Sequence, residues 1–543
     1  MGRLYIAIII VLFASVGINI LNAQNTVGLI SFSEESYDGY TLITPINYNK
    51  TYLIDNCGNI INQWEAESEA AMVAYIHSDG SLYRTARLPS MFNAGGSGGR
   101  IDKYDWNNNL VWRYDVNSET EQQHHDIEVL PNGNVLVLSW NLKSPEEALA
   151  SGRKPELIPT LGIWSEKILE LKPISLDSTE IVWEWDVWDH LVQDYDPQLP
   201  NFGSVKESPH KIDINYFENQ FSMVPDWLHC NSVDYNSELD QIMISCRNFN
   251  EFWIFSHDPS HASNGDLLYR WGNPMTYEQG LETDQQLFGQ HDAHWIEEGR
   301  PGTGNVMIFN NGVDRPDGLY SSVIEIELGD LENGTYPLDQ GASFGPIEPL
   351  WTYPSIPSMD FFSARISGAQ RQPNGNTLIC SGRRGDIFEV TEEEDIVWQY
   401  ISPLNAAGPV VQGNPASGND LFRAYRYPPD HSAFQDKIIN SGPVIELGAS
   451  ATGCTSIISN VNDERKILQV KIFPNPTSRI IQLEGLKEVS TAMIYSLDGA
   501  ILKKQTVSNL STIDLGHFSE GLYILSINSL NGQRIVNKIV NKY

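Results

Sequence analysis

At 543 residues the chain exceeds one ordinary domain by length, although a single large β architecture would absorb most of it. Hydrophobic content of 41% with 14 Trp, 23 Tyr and 19 Phe supplies a core, and Gly, Pro, Asn and Asp punctuate short apolar segments, which favours strands over helices. The net charge of −34 makes nucleic acid and anionic membrane poor partners, and leaves room for an anionic substrate only where a local cluster of Arg and His reverses the field.

In chain order, residues 1–23 read as a secretory signal. Arg3 is their one charge, Tyr5 to Ile20 is an apolar run, and Leu21-Asn22-Ala23 before Gln24 is a small-residue cleavage site. The run is short for a membrane span, which favours a cleaved signal over an anchor. Five cysteines (57, 230, 246, 380, 454) show no CxxC or zinc spacing. An exported chain permits one or two disulfides, and the odd count leaves a thiol over.

A short aromatic signature then recurs six times: Ile60-Ile61-Asn62-Gln63-Trp64, Leu110-Val111-Trp112, Ile181-Val182-Trp183-Glu184-Trp185, Leu268-Tyr269-Arg270-Trp271, Leu350-Trp351 and Ile396-Val397-Trp398. Hairpin turns such as Pro131-Asn132-Gly133-Asn134 and Pro373-Asn374-Gly375-Asn376 lie between copies. Repeats of this length and kind predict β-propeller blades. The fold expected is all-β: a six-bladed β-propeller over residues 24–440, closed by pairing strands near Tyr40–Asp55 with the segment after Tyr400. A Ser/Gly/Ala-rich linker is expected at 441–462, and a small β-sandwich at 463–543.

That last segment opens with Phe473-Pro474-Asn475-Pro476, continues through Ser496-Leu497-Asp498-Gly499 and Gly521-Leu522-Tyr523, and ends in a basic strand. It resembles the type A sorting domain of proteins exported by the type IX secretion system. The resemblance implies passage through that machinery to the cell surface or medium of a Gram-negative bacterium, with no membrane span in the mature protein.

Three histidines, His125, His229 and His291, each stand ahead of a strand–turn–strand segment. Equivalent positions in a repeat fall at one end of the architecture, which would gather three imidazoles around one cavity. Pairing across a turn near Glu238 sets His229 opposite Arg247 and Cys230 opposite Cys246, and places Asn231 on the face of His229. The same operation sets Asn310 or Asn311 opposite His291 and Trp140 opposite His125. In the fifth unit the place falls on Ser367 or Gly368, so histidine is selected in three units and not imposed by the repeat.

Asp226-Trp227-Leu228-His229-Cys230-Asn231-Ser232-Val233 with Ser245-Cys246-Arg247 resembles the bacterial aryl-sulfate sulfotransferases. So do His124-His125-Asp126-Ile127 before Leu130-Pro131-Asn132-Gly133, Gln290-His291-Asp292-Ala293, Ser367-Gly368-Ala369-Gln370 and Phe422-Arg423-Ala424 before Arg426-Tyr427-Pro428, over most of residues 40 to 435. The resemblance implies a six-bladed propeller moving a sulfuryl group from a phenolic sulfate donor to a phenol acceptor without a nucleotide sulfate donor or other cofactor. It assigns His291 as the nucleophile that is transiently sulfurylated, and His125, His229, Asn231 and Arg247 to sulfate binding and acid–base assistance.

Other classes compete. A formylglycine sulfatase needs Cys-X-Pro-X-Arg, which no cysteine begins. Gly95-Gly96-Ser97-Gly98-Gly99 has the letters of a serine-hydrolase elbow, but without a strand-to-helix turn it reads as a flexible loop. His124-His125-Asp126 and His291-Asp292-Ala293-His294 offer metal ligands, although adjacent strand residues point to opposite faces. A secreted propeller that only binds glycan or protein, or a sulfate-ester hydrolase, stays open beside the transferase.

Overall fold

A computed structural model describes residues 25–216, 224–332, 334–449, 471–486, 489–496, 501–529 and 534–542. The expected signal, most of the expected linker and the Leu497-Asp498-Gly499 turn fall outside the described residues. The protein is all-β, with 44% of residues in strands and 6% in helices. No described helix is long and apolar enough to cross a membrane.

Among the described residues from 28 to 427 lie six antiparallel sheets of four or five strands. Each has one inner strand: β1 (Ala70–Ile76), β2 (Glu121–Val129), β3 (Cys230–Asn236), β4 (His291–Trp295), β5 (Gly368–Arg371) and β6 (Leu421–Tyr427). The inner strands lie against one another in chain order, and β6 also lies against β1. β6 comes from the far end of the chain and pairs with Tyr40–Pro45, setting Tyr40 opposite Tyr427 and Ile43 opposite Ala424. Gly28–Phe32 adds a fifth strand to the outer edge of the sheet that ends in Ile396–Ile401, which covers an otherwise unpaired edge.

The six aromatic signatures are the fourth strands of their sheets, counted outward from the inner strand. Their tryptophans fasten each sheet to the next, because a buried indole N–H needs an acceptor. Nε1 of Trp64 donates to the Asp105 carbonyl (2.9 Å), Trp112 to Thr179 Oγ1 (2.9 Å), Trp185 to Gly265 (2.9 Å) and Trp271 to Pro346 (2.8 Å). Trp398 donates to Asn56 (2.8 Å), joining the last sheet to the first. Trp351, the half-buried sixth, instead faces the Arg371 guanidinium at 4.7 Å. Middle strands such as Gln241–Cys246 and Glu251–Ser256 are buried along their whole length, since neighbouring sheets cover both faces.

Residues 441–449 are not loose linker: Ile445 is core, Gly442 N donates to the Ile60 carbonyl (2.8 Å), and Ile60 N to that of Pro443 (3.0 Å). Cys230 and Cys246, which the turn pairing sets opposite one another, form a disulfide. Cys57 is also disulfide-bonded, and Cys380 is a buried free thiol. The described residues between 471 and 542 form a three-stranded and a four-stranded sheet around one apolar core that includes Ile481, Leu483, Ile494 and Leu525.

Candidate active site

The histidines reach one end of the inner strands through irregular backbone. His125 (φ 46°) and His229 (φ 51°) are left-handed, as are Asp292 (58°), Ile366 (54°) and Ser367 (89°) at the matching places of β4 and β5. A left-handed residue with a side chain costs about 1 kcal/mol or more, a strain tolerated where surrounding packing dictates it. The pairing register also slips in this zone of β1, β2, β3 and β4. Bulges of this kind re-aim side chains away from the sheet faces.

Cys230 faces Cys246 as expected, and Arg247 N donates to the His229 carbonyl (3.3 Å). From Ser232 onward, however, the register is one residue off, with Ser232 opposite Ser245. A bulge at Asn231 absorbs the difference, and the simple alternation assumed for Asn231 is broken. The strand partner of His291 is Phe309, not Asn310 or Asn311. Trp140 faces Gln122 and Glu166, not His125.

His125, His229, His291 and Arg247 converge. The His125 and His229 rings meet edge to face with centroids 4.6 Å apart, and Phe422 of β6 sits between His125 (5.9 Å) and His291 (6.1 Å). Burial holds His125 well below the usual imidazole range, and the nearby His229 adds to this. Burial does the same to His291, reinforced by the Arg247 charge. Burial also lowers Arg247, against the pull of Asp226 and Asp314. Both buried imidazoles are therefore neutral at neutral pH.

Hydrogen bonds decide which nitrogen each ring presents. Asn311 Nδ2 donates to the carbonyls of Ser363 (2.7 Å) and Ile366 (2.9 Å), so its Oδ1 is the atom that faces His291 Nδ1 at 2.8 Å. The Gly289 carbonyl lies 3.2 Å from the same nitrogen. Two acceptors around Nδ1 require its proton there and leave the lone pair on Nε2, which receives only a long N–H contact from Ile366 (3.2 Å). His229 Nδ1 likewise donates to Asp226 Oδ2 (2.5 Å), leaving Nε2 to the site. His125 Nδ1 lies 2.8 Å from Nδ1 of His124, whose Nε2 is 2.8 Å from Glu166 Oε2.

Asn231 reaches the chain just ahead of β4. Its Nδ2 donates to the Gln290 carbonyl (2.8 Å), bracing the residue before His291, and its buried Oδ1 has no hydrogen bond among the described residues. The aspartates of the two His-Asp pairs both meet Arg423 of β6. Arg423 hydrogen-bonds Asp126 Oδ2 (2.7 Å) and the Asn231 carbonyl (2.9 Å) and lies in ion-pair contact with Asp292 Oδ1 (3.1 Å), while Tyr75 and Tyr425 donate to Asp126 (2.6 Å) and Asp292 (3.0 Å). This buried cluster ties β1, β2, β3, β4 and β6 together beneath the histidines. Beyond it lies a cavity of about 430 Å³ lined by Tyr75, Glu128, Asp234, His294 and Tyr427. Among the described residues no three His, Cys, Asp or Glu are grouped to hold a metal ion.

Several residues here carry no clear signal in the sequence. Asp226, three residues before His229, was within reach of local reasoning; Glu166, far along another strand, was not. The glycine-rich loop is a wall of the site and not a free turn: His125 N donates to the Gly96 carbonyl (2.8 Å), and a Cβ on Gly96 would lie 2.0 Å from His125 Cε1. One on Gly95 would stand 3.7 Å from His229 Cε1.

Residues 28–401 match the model of the arylsulfotransferase (ASST) family, and residues 471–542 match a secretion system C-terminal sorting domain. An arylsulfate sulfotransferase AssT from Lelliottia amnigena is 24% identical over 249 residues, which cover 38% of this chain and 38% of that protein. Among solved structures, a protein of unknown function from Bacteroides caccae is 10% identical with a TM-score of 0.38, over 72% of this chain and 99% of that one. A virginiamycin B lyase from Staphylococcus aureus is 11% identical with a TM-score of 0.31, over 70% and 90%. Both scores are low, and nothing further rests on them.

Proposed function

Because this chain belongs to the arylsulfotransferase family, we propose that it moves a sulfuryl group from a phenolic sulfate ester to a phenol through a sulfohistidine on His291. The observation that carries the reading is the fixed tautomer of His291: Asn311 holds the proton on Nδ1, so a neutral Nε2 lone pair faces the site beside Arg247. A neutral imidazole is a competent nucleophile, and a covalent intermediate splits one difficult transfer into two easier ones. Arg247 offers a planar, permanently charged fork to the sulfuryl oxygens. His125 and His229 serve proton transfer at the bridging oxygen. Attack requires the long Ile366 N–H contact on Nε2 to give way, after which that N–H is free for a sulfuryl oxygen.

In this reading the six sheets are the blades of a closed six-bladed propeller. The contact of β6 with β1 and the Trp398–Asn56 bond support closure. The sorting domain marks the chain for export to the cell surface or medium, and the type IX machinery is its proposed partner in transit.

The test is incubation of folded protein with 4-nitrophenyl sulfate and a phenol. Nitrophenol release with sulfation of the phenol is expected, and His291→Asn abolishes both. Release of free sulfate as the sole second product makes water the acceptor and the protein a hydrolase. No release at all leaves a binding module.

A further inference from the structure

Behind His125 stands a second histidine and behind that a carboxyl group, all three buried. Glu166 and His124 are fully inaccessible and His125 is 3% exposed. The separations are 2.8 Å from Glu166 Oε2 to His124 Nε2 and 2.8 Å from His124 Nδ1 to His125 Nδ1. Trp140 stacks on the His124 ring at 4.2 Å and pairs across the strands with Glu166, so the chain of contacts is walled by an aromatic face. Glu166 Oε1 accepts the Cys230 N–H at 3.0 Å. Building on the sulfuryl-transfer reading above, we propose that Glu166, His124 and His125 are a proton relay that supplies the departing phenol and recovers its proton from the acceptor.

These contacts fit either of two proton arrangements, and burial selects one of them at rest. A carboxylate sealed from water and hydrogen-bonded to neutral groups is costly, so Glu166 rests protonated. Burial pushes its carboxyl well above the usual range, with the Asp226 charge adding to this and His229 opposing it. Burial also pushes His124 down to about 3, with Asp226 and Asp126 pulling it up and His229 pushing it down. His125 is surrounded by His229, His124, His291 and Arg423, all of which disfavour its cation. Glu166 O–H therefore donates to His124 Nε2, which places the His124 proton on Nδ1. That proton donates to His125 Nδ1, so His125 must carry its own proton on Nε2, facing the site. His229 is held differently: its Nδ1 lies 2.5 Å from Asp226 Oδ2.

The step balances. The His291 Nε2 lone pair forms the N–S bond, and the S–O(aryl) bond breaks with its electron pair on the aryl oxygen. That oxygen takes the Nε2 proton of His125. His125 Nδ1 takes the proton of His124 Nδ1, and His124 Nε2 takes that of Glu166. The products are a neutral phenol, a sulfurylated His291 that keeps its Nδ1 proton, and a Glu166 carboxylate matching the positive charge formed on the His291 ring. The acceptor phenol then gives its proton to His125 Nε2 and every shift reverses. His125 is the residue that meets substrate; His124 and Glu166 position and recharge it.

Glu166→Gln tests this, because an amide still donates to His124 and accepts from Cys230 but cannot release a proton. Rates with 4-nitrophenyl sulfate, whose phenolate departs readily, are compared with those for phenyl sulfate, whose phenolate needs protonation. The variant is expected to lose roughly tenfold or more additional rate on phenyl sulfate than on 4-nitrophenyl sulfate, within the span of general acid catalysis. Equal losses on both donors mean a structural role and overturn the relay, as does no loss on either. If the variant does not fold, the unaltered enzyme is assayed on phenyl sulfate in mixtures of light and heavy water. A bowed dependence on deuterium content supports several protons in motion, and a straight line overturns the relay. An unaltered protein inactive on both donors removes the sulfuryl-transfer reading itself, and the relay with it.

Discussion

Asn311 Oδ1 lies 2.8 Å from Nδ1 of His291, and the carbonyls of Ser363 and Ile366 lock the amide in the one orientation that makes this atom an acceptor. A single side chain from the neighbouring strand end thus sets which nitrogen of His291 is nucleophilic. Asn311→Ala frees the ring to rotate or change tautomer. We expect kcat for aryl sulfate turnover to fall about 10–100-fold, the cost usual for losing such an orienting partner, with KM changing much less. An unchanged kcat would sink this role for Asn311.

Asp226 plays the corresponding part for His229 at 2.5 Å. Asp226→Asn can donate to Nδ1 and so invert the tautomer. The expected loss in kcat/KM is on the order of 10²-fold or more, since an inverted tautomer is among the costliest single changes to a histidine base. A loss smaller than roughly threefold, well below that range, contradicts the assignment.

Gly96 and Gly133 form a matched pair for the loop that backs His125. Both have left-handed backbone (φ +87° and +84°), but a Cβ on Gly96 meets the His125 ring at 2.0 Å while one on Gly133 meets nothing within 4 Å. Alanine at either costs about 1 kcal/mol of stability through backbone strain. Only Gly96→Ala is expected to cut activity, by about tenfold or more, because a displacement near 1 Å at the reacting groups is that damaging. Equal activity in the two variants would show that the loop does not set His125.

Arg423 sits between two buried carboxylates, so Arg423→Met strands both. Breaking a buried pair costs about 3–5 kcal/mol, read as a lowered urea midpoint. Burial already raises Asp126, with Arg423 opposing it. Without the guanidinium, its folded pKa lies further above that of the unfolded chain. Folding then takes up protons, and stability is lost as pH rises from the ordinary carboxylate range through the folded pKa. The variant should therefore lose stability as pH rises from about 4, the ordinary carboxylate range, toward about 8. The opposite slope would refute a buried charge cluster.

His125 and His291 are held below the usual imidazole range by burial. Their neutral forms persist as pH falls past the ordinary histidine pKa of about 6.5. With 4-nitrophenyl sulfate, kcat/KM reports the free enzyme, and neither group should introduce an acid limb above about pH 6. A limb centred near 6.5 that survives Asp226→Asn would place a protonating His125 or His291 in the ordinary range.

Much of this protein was open to reading from pattern. The Trp signatures at 64, 112, 185, 271, 351 and 398 marked six outer strands, because a repeat must bury the same face each time and an indole is conspicuous wherever it falls. His125, His229 and His291 stood out because repeat position carries over to spatial position. Pairing arithmetic brought His229 beside Arg247, but only because the bulge at Asn231 offset a one-residue slip, a cancellation invisible in the letters.

What pattern could not supply lies in contacts between distant strands. Whether His125 is left-handed, whether Asn231 braces Gln290, and whether Gly96 is a loop or a wall depend on what packs against them. Glu166 is 42 residues from His124 and belongs to no motif; only the pairing of Trp140 with Glu166 brings it close. Hydrophobic periodicity is a local property and is written along the chain. Side-chain direction at a bulge and the protonation of a buried group are set by neighbours that the folded sheets alone bring together.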